Sequence, residues 1–466
     1  MPDPRATAGD DRAGHSLSAR VASLRGSDVG RAGGLAAAMI VNNAVALAAT
    51  VLFARLLDDY GSLAALLAYV LILSVGGQAM QVATAREAVL GRLGTGPEFA
   101  ATLRSWTRTL LLLTVASAVV SVLLRAPIAA AVGVDQEWAA AAGLPTGVLW
   151  LLLAILRGAL QGVGDYRAVG VSFIGEQTVR LVAGVALAAA GLDVTGAFLG
   201  TPIAIAATAL WCGYELRHRL LGRERPSARG ALSGAAAGAH AALRLRDHVA
   251  GAWAPIAGLV VIAVLQNIDA IAAKHRFSTD VASSWGATTV AAKALVWVAM
   301  GAGFYLVPET SRRHSEGEDT RPVLLRTIAI VLVLAAPLLV VFAVFPRLLL
   351  RLAFGADRLL AVDSLLPLGV GFTLLAVTYL AIQYMLALHR TAFLVPLGLV
   401  AVAYPALLIA LAPEDPSGFA GLVLGIQALA CTVALALAFR RPAPVASAAP
   451  RHAQPLPAGD GSTPPG

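Results

Sequence analysis

LQGVGDYRAVGVSFIGEQTVRLVAGVALAAAGL, running from Leu160 to Leu192, poses a physical problem. From Val169 onward it is long and apolar enough to cross ~30 Å of hydrocarbon at about 1.5 Å per residue. Yet it contains Glu176 and Arg180. Their spacing puts both on one helix face, with the carboxylate towards the N-terminus, the order in which such pairs attract best. A charge at the bilayer centre costs ~2.5–3.5 kcal/mol on insertion scales. Such a pair faces a partner or a wet cavity, not lipid. It is either a self-neutralising pair that holds its helix in place or part of a site.

The rest of the chain shares this character. Of its 466 residues 58% are hydrophobic and only 13% charged, with mean hydropathy +0.76. About 25% charge is usual for a soluble domain. The apolar residues come in blocks of membrane-spanning length, roughly 31–54, 62–85, 105–124, 139–160, 169–190, 194–214, 249–273, 281–306, 323–345, 361–388, 391–412 and 418–439. These twelve blocks specify an all-α polytopic membrane protein. The first thirty residues lack a short apolar core with a small-residue cleavage site, so they read as a retained tail.

Basic residues orient the spans. With the N-terminus in the cytoplasm, inside segments hold 26 Arg and Lys, including Arg86, Arg92, Arg104, Arg108, Arg312, Arg313, Arg321 and Arg326. Outside segments hold seven: Arg55, Arg125, Lys274, Arg276, Arg347, Arg351 and Arg358. Together they account for 33 of 35; the two left over are Arg180 and Lys293, and both fall inside spans. This bias places both termini in the cytoplasm. It also explains the net charge of +8 as a topology signal, with no nucleic-acid partner implied.

Residues 217–247 form the longest internal connection and divide the chain into a lobe at 31–216 and a lobe at 248–441. Residues 1–30 and 442–466 read as disordered cytoplasmic tails, the latter rich in Pro and Ala. FPRLLLRLAFGADRLL, from Phe345, reads as an amphipathic helix on the outer surface. A shift of 222 residues aligns Gly133 with Gly355, Leu144-Pro145 with Leu366-Pro367, Gln161 with Gln383 and Asp193 with Asp415, without a gap. Six spans per lobe is an even number, so both lobes enter from the same side. They are parallel repeats, as in transporters.

Counted inward at 1.5 Å per residue, Arg180 and Lys293 both lie near the midplane, one per lobe. Lys293 has only Thr289, Val290, Val296 and Trp297 at helical spacing. Its structural role would be a salt bridge to Asp269; its functional role would be a cationic floor for phosphate, which Arg binds with a planar fork and Lys as a point charge. Asn42, Asn43, Gln78, Gln81, Gln266, Asn267, Gln383 and Gln427 are intramembrane amides. Singly they serve as helix–helix glue; as a set they suit hydroxyl-rich sugars. Cys212 and Cys431 read as packing residues. GVGDYRAVG and GRLGTGPEF lack the context of a nucleotide loop. With no HExxH, CxxC or nucleophile elbow, and histidines only in loops, tails or span ends, the chain reads as neither an enzyme nor a holder of a cofactor or metal.

LQGVGDYRAVGVSFIGEQTVRLVAGVALAAAGLDVTGAFLG, VLQNIDAIAAKHRFSTDVASSWGATTVAAKAL and LVPETSRR resemble segments of Wzx-like oligosaccharide-lipid flippases. These belong to the multidrug/oligosaccharidyl-lipid/polysaccharide (MOP) exporter superfamily. The resemblance covers about residues 31–440 and implies twelve helices in a V-shaped pair of six-helix lobes, working by alternating access around a central cavity. It implies a polyprenyl-diphosphate-linked oligosaccharide as substrate, with polysaccharide-assembly proteins as partners in a bacterial plasma membrane. On that reading Arg180 and Lys293 meet the diphosphate. Glu176, Asn42, Asn43, Gln78, Asn267 and Gln383 complete the site, and Glu176 or Asp269 carries any coupled ion. An exporter of cationic drugs would want unpaired acids in the cavity, where here the midplane surplus is positive. A membrane glycosyltransferase or polymerase would need acidic residues on sizeable outer loops, and these are short.

Overall fold

A computed structural model describes residues 28–94, 96–221 and 245–440. Among them every regular element is a helix. Hydrocarbon offers no partner for backbone N–H and C=O groups, so each apolar block must satisfy its own. In chain order the helices are α1 (Asp28–Leu56), α2 (Tyr60–Ser74), α3 (Gly76–Val89), α4 (Gly96–Leu123), α5 (Arg125–Val132), α6 (Glu137–Gly162), α7 (Tyr166–Leu187) and α8 (Asp193–Leu221). They continue as α9 (Trp253–Arg276), α10 (Thr279–Ser315), α11 (Arg321–Val344), α12 (Pro346–Phe354), α13 (Leu365–Ala387), α14 (Leu394–Leu411) and α15 (Pro416–Phe439).

Eleven helical runs among the described residues are long and apolar enough to cross a membrane. One of them, Tyr166–Leu220, is 55 residues long and cannot be a single crossing. The backbone turns back at Gly191, where φ is +94°, a conformation that only glycine adopts without penalty. α7 and α8 then pack side by side. The run therefore supplies two crossings, and the total is the expected twelve. α2 and α3, joined at Val75, make one span between them.

α1, α3, α4, α6, α7 and α8 pack mainly among themselves, as do α10, α11, α13, α14 and α15. α9 joins the two groups. It packs on α14 and α10 of the second group and on α2, which itself packs on α6 of the first group and on α10 of the second. Ahead of it His248 lies 3.2 Å from the Thr84 hydroxyl and stacks on Trp106 at 5.2 Å. The proposed tails at 1–30 and 442–466 and the connection at 217–247 fall mostly outside the described residues.

The 222-residue register has a physical counterpart. Gly61 N donates to Ser283 Oγ at 3.0 Å, and a Cβ placed on Gly286 would lie 3.0 Å from the Ala64 Cβ. Positions 61 and 283, and 64 and 286, are register mates. Equivalent residues touch each other only where a two-fold axis passes. Glycine at 61 allows this approach: a Cβ there would lie 3.0 Å from the backbone of Ala282 and Ser283, which would have to give way by a few tenths of an ångström. The matched elements agree too: α6 follows the short α5, and α13 follows the short α12, with Gly133 and Gly355 both at positive φ. α12 buries Leu350 and Phe354 and exposes Arg347, Leu348, Arg351 and Leu352, the amphipathic pattern expected for this stretch.

That end of the bundle is sealed by an exchange of arginines. Arg358 donates to the carbonyls of Ala54, Leu57 and Asp58 at the end of α1. Arg55, in the last turn of α1, donates to Leu352 and Ala353 of α12. Each guanidinium thus caps orphan carbonyls at the negative end of the other group's helix. Lys274 adds an ion pair to Asp59 at 3.1 Å.

Candidate functional site

Two charged clusters lie inside the spans. The first joins α6 and α7. Arg157, 3% exposed, places Nη2 2.8 Å from Glu176 Oε2. It also donates to Ser172 Oγ at 2.8 Å and to the Ser172 carbonyl at 2.9 Å, with its guanidinium 4.1 Å from the Phe173 ring centroid. Ser172 and Glu176 are one turn apart on α7, so a single planar fork reads both.

This alters the pairing expected of Glu176 and Arg180. Arg180 Nη2 is 3.9 Å from Glu176 Oε1, beyond hydrogen-bonding distance. Its buried Nε has no hydrogen-bond partner among the described residues. Arg157 takes Oε2 of the carboxylate, while Oε1, which has no hydrogen-bond partner among the described residues, faces Arg180 in a looser ion pair. Two cations thus share one carboxylate. Counted by position, Arg157 falls with the basic residues at the inner ends of the spans, but the structure draws it into the helix interior. Sequence offers no direct signal for this, because residues 157 and 176 meet only through the α6–α7 packing register.

The second cluster joins α9 and α10. Lys293 Nζ lies 3.4 Å from Asp269 Oδ1 and 3.4 Å from Asn267 Oδ1, and 5.5 Å from the centre of the Phe372 ring. Asp269, 1% exposed, accepts at Oδ2 from Thr289 Oγ1 at 3.2 Å and Trp285 Nε1 at 3.4 Å. Trp285, Thr289 and Lys293 recur every four residues and so form one stripe of α10, turned towards Asp269. That spacing is legible in the sequence once Asp269 is known to face it.

The amides divide. Asn267 joins Lys293 and anchors itself on the Ala263 carbonyl at 2.9 Å. Asn42 and Asn43 bond to each other at 3.2 Å, Gln78 is exposed, Gln383 donates to Tyr379 Oη at 3.0 Å, and buried Gln427 donates to the Leu265 carbonyl at 2.6 Å. Of the predicted site residues, Glu176 with Arg180 and Lys293 with Asn267 and Asp269 are brought together. Asn42, Asn43, Gln78 and Gln383 join neither cluster, and no ion pair or hydrogen bond links Arg180 to Lys293 among the described residues. Nor does the repeat carry the chemistry. The register mates of Arg157, Glu176 and Arg180 are Tyr379, Gly398 and Val402, and those of Asp269 and Lys293 are Leu47 and Leu71. The halves share a backbone and differ in their charges.

No family model and no curated protein matches the sequence. Solved structures do. A multidrug resistance MATE family transporter of the MOP superfamily, inward-facing, aligns with TM-score 0.66 at 13% identity, over 85% of this chain and 93% of that one. The lipid II flippase MurJ, in an inward closed conformation, aligns with TM-score 0.66 at 14% identity, over 88% of each chain. An outward-facing MATE transporter aligns with TM-score 0.50 at 13% identity, over 88% of this chain and 94% of that one. At these identities the likeness is one of architecture: this chain is an all-α, multi-pass membrane protein with the fold of the MATE and MOP-superfamily transporters.

Proposed function

We propose that the chain is a MOP-type transporter that flips a polyprenyl-diphosphate-linked oligosaccharide between the leaflets of a bacterial plasma membrane. The observation that carries this reading is Arg180. It is a partly buried arginine, its side chain 19% exposed, with a buried Nε that has no hydrogen-bond partner among the described residues, beside a carboxylate whose Oε2 Arg157 already holds. Burying such a group is costly unless an anion arrives to complete it. A diphosphate headgroup supplies that anion. Lys293 is the second cation, Asn267 a neighbouring polar contact, and the remaining amides offer donors and acceptors to sugars. Positive-inside counting puts the sealed end outside, so this conformation would load from the cytoplasm. An interior-negative potential would favour outward movement of an anionic headgroup, by ~2.3 kcal/mol per charge per 100 mV.

Export of cationic drugs is the competing reading, since MATE transporters share the fold. A site for cations would need an unpaired buried carboxylate, whereas Glu176 and Asp269 each hold a basic side chain. The two readings separate in proteoliposomes. The purified chain should expose a fluorescent polyprenyl-diphosphate oligosaccharide to a membrane-impermeant quencher and leave a cationic dye where it was. Dye movement without lipid movement would reverse the assignment.

A further inference from the structure

Lys293 is already held by Asp269, and the two ends of this pair are unequally fixed. Asp269 is anchored by Trp285 and Thr289 and is 1% exposed. Lys293 is 13% exposed and reaches both Asp269 Oδ1 and Asn267 Oδ1 at 3.4 Å. Tight charged hydrogen bonds run at about 2.7–2.9 Å. The ammonium, on its flexible stem, is therefore the partner that can leave.

A bare intramembrane lysine would collect anionic phospholipid headgroups. We infer that Asp269 is a specificity-determining residue: it holds Lys293 against singly charged phosphodiesters and yields it only to a diphosphate. A phosphodiester would replace one carboxylate contact by one phosphate contact and leave Asp269 buried without its cation, so the exchange is unfavourable. A diphosphate carries more charge and more acceptor oxygens, which offsets the stranded carboxylate. The inference rests on the reading of Lys293 as a headgroup contact. Among the described residues the Tyr404 phenol of α14 also faces Asp269. Asp59, from α2, is taken up by Lys274 at the sealed end.

Calorimetric titration of the full chain in a neutral maltoside detergent tests this, with farnesyl diphosphate and short-chain phosphatidylglycerol as probes. The wild type should prefer the diphosphate by at least about tenfold, equivalent to about 1.4 kcal/mol. Asp269→Asn should bind phosphatidylglycerol about tenfold or more tightly than the wild type does, and so lose most of that preference. A merely structural Asp269 would not produce such a gain. If the wild type binds neither probe, the flippase reading fails and this inference falls with it. If the wild type binds both probes equally, a result that needs no variant to fold, the inference alone is overturned. Unchanged preference in a folded Asp269→Asn protein would overturn it as well.

Discussion

Replacing Arg157 by methionine should lower the unfolding free energy by about 3–5 kcal/mol, the usual penalty for removing one partner of a buried ion pair. Three interactions vanish together: the 2.8 Å bond to Glu176 and the two bonds to Ser172. Glu176, 2% exposed, would be left with Arg180 at 3.9 Å and nothing closer among the charged groups. Methionine fills much of the vacated volume, so the loss is mainly electrostatic. Adding Glu176→Gln should recover most of the stability, because the stranded charge is gone. Thermal unfolding of the purified variants in detergent checks both outcomes. A single Arg157→Met variant as stable as the wild type would show that Glu176 does not depend on Arg157.

Lys293→Ala should cost a similar amount, ~3–5 kcal/mol, but with a different signature. Asp269 would keep its hydrogen bonds from Thr289 and Trp285 while losing its only cation among the described residues. Expression and thermal stability should fall, and the double variant Lys293→Ala with Asp269→Asn should restore them. Transport of the lipid-linked sugar should stay absent in the double variant, because the headgroup contact is still missing. Recovery of stability and transport together would make Lys293 a structural residue only.

The features legible in the sequence were those governed by local chemistry. Span length, the positive-inside bias and the 222-residue register all follow from one-dimensional patterns, and span length and register each match a helix or a contact in the fold. The Lys293–Asp269 pair was reachable because a midplane lysine without a helical neighbour must look to the next helix. Arg157 was not reachable in that way. Its depth depends on how α6 and α7 slide past each other, which hydropathy does not encode, and a cation one turn from Gly162 reads naturally as interfacial. The i,i+4 pairing of Glu176 with Arg180 is present but loose, at 3.9 Å, because a cross-helix guanidinium that also reaches Ser172 takes the closer contact. The scattered amides could not be sorted, since Gln427 and Gln383 find partners within their own surroundings.

The most direct measurement is the translocation rate of a polyprenyl-diphosphate oligosaccharide by Arg180→Gln, normalised to folded protein in proteoliposomes. Arg180 makes no hydrogen bond among the described residues, so glutamine should leave stability nearly unchanged while lowering the rate at least about a hundredfold, or about 2.7 kcal/mol of lost headgroup stabilisation. A variant that folds normally and flips the lipid at the wild-type rate would contradict the assignment of Arg180 as the anion-binding group.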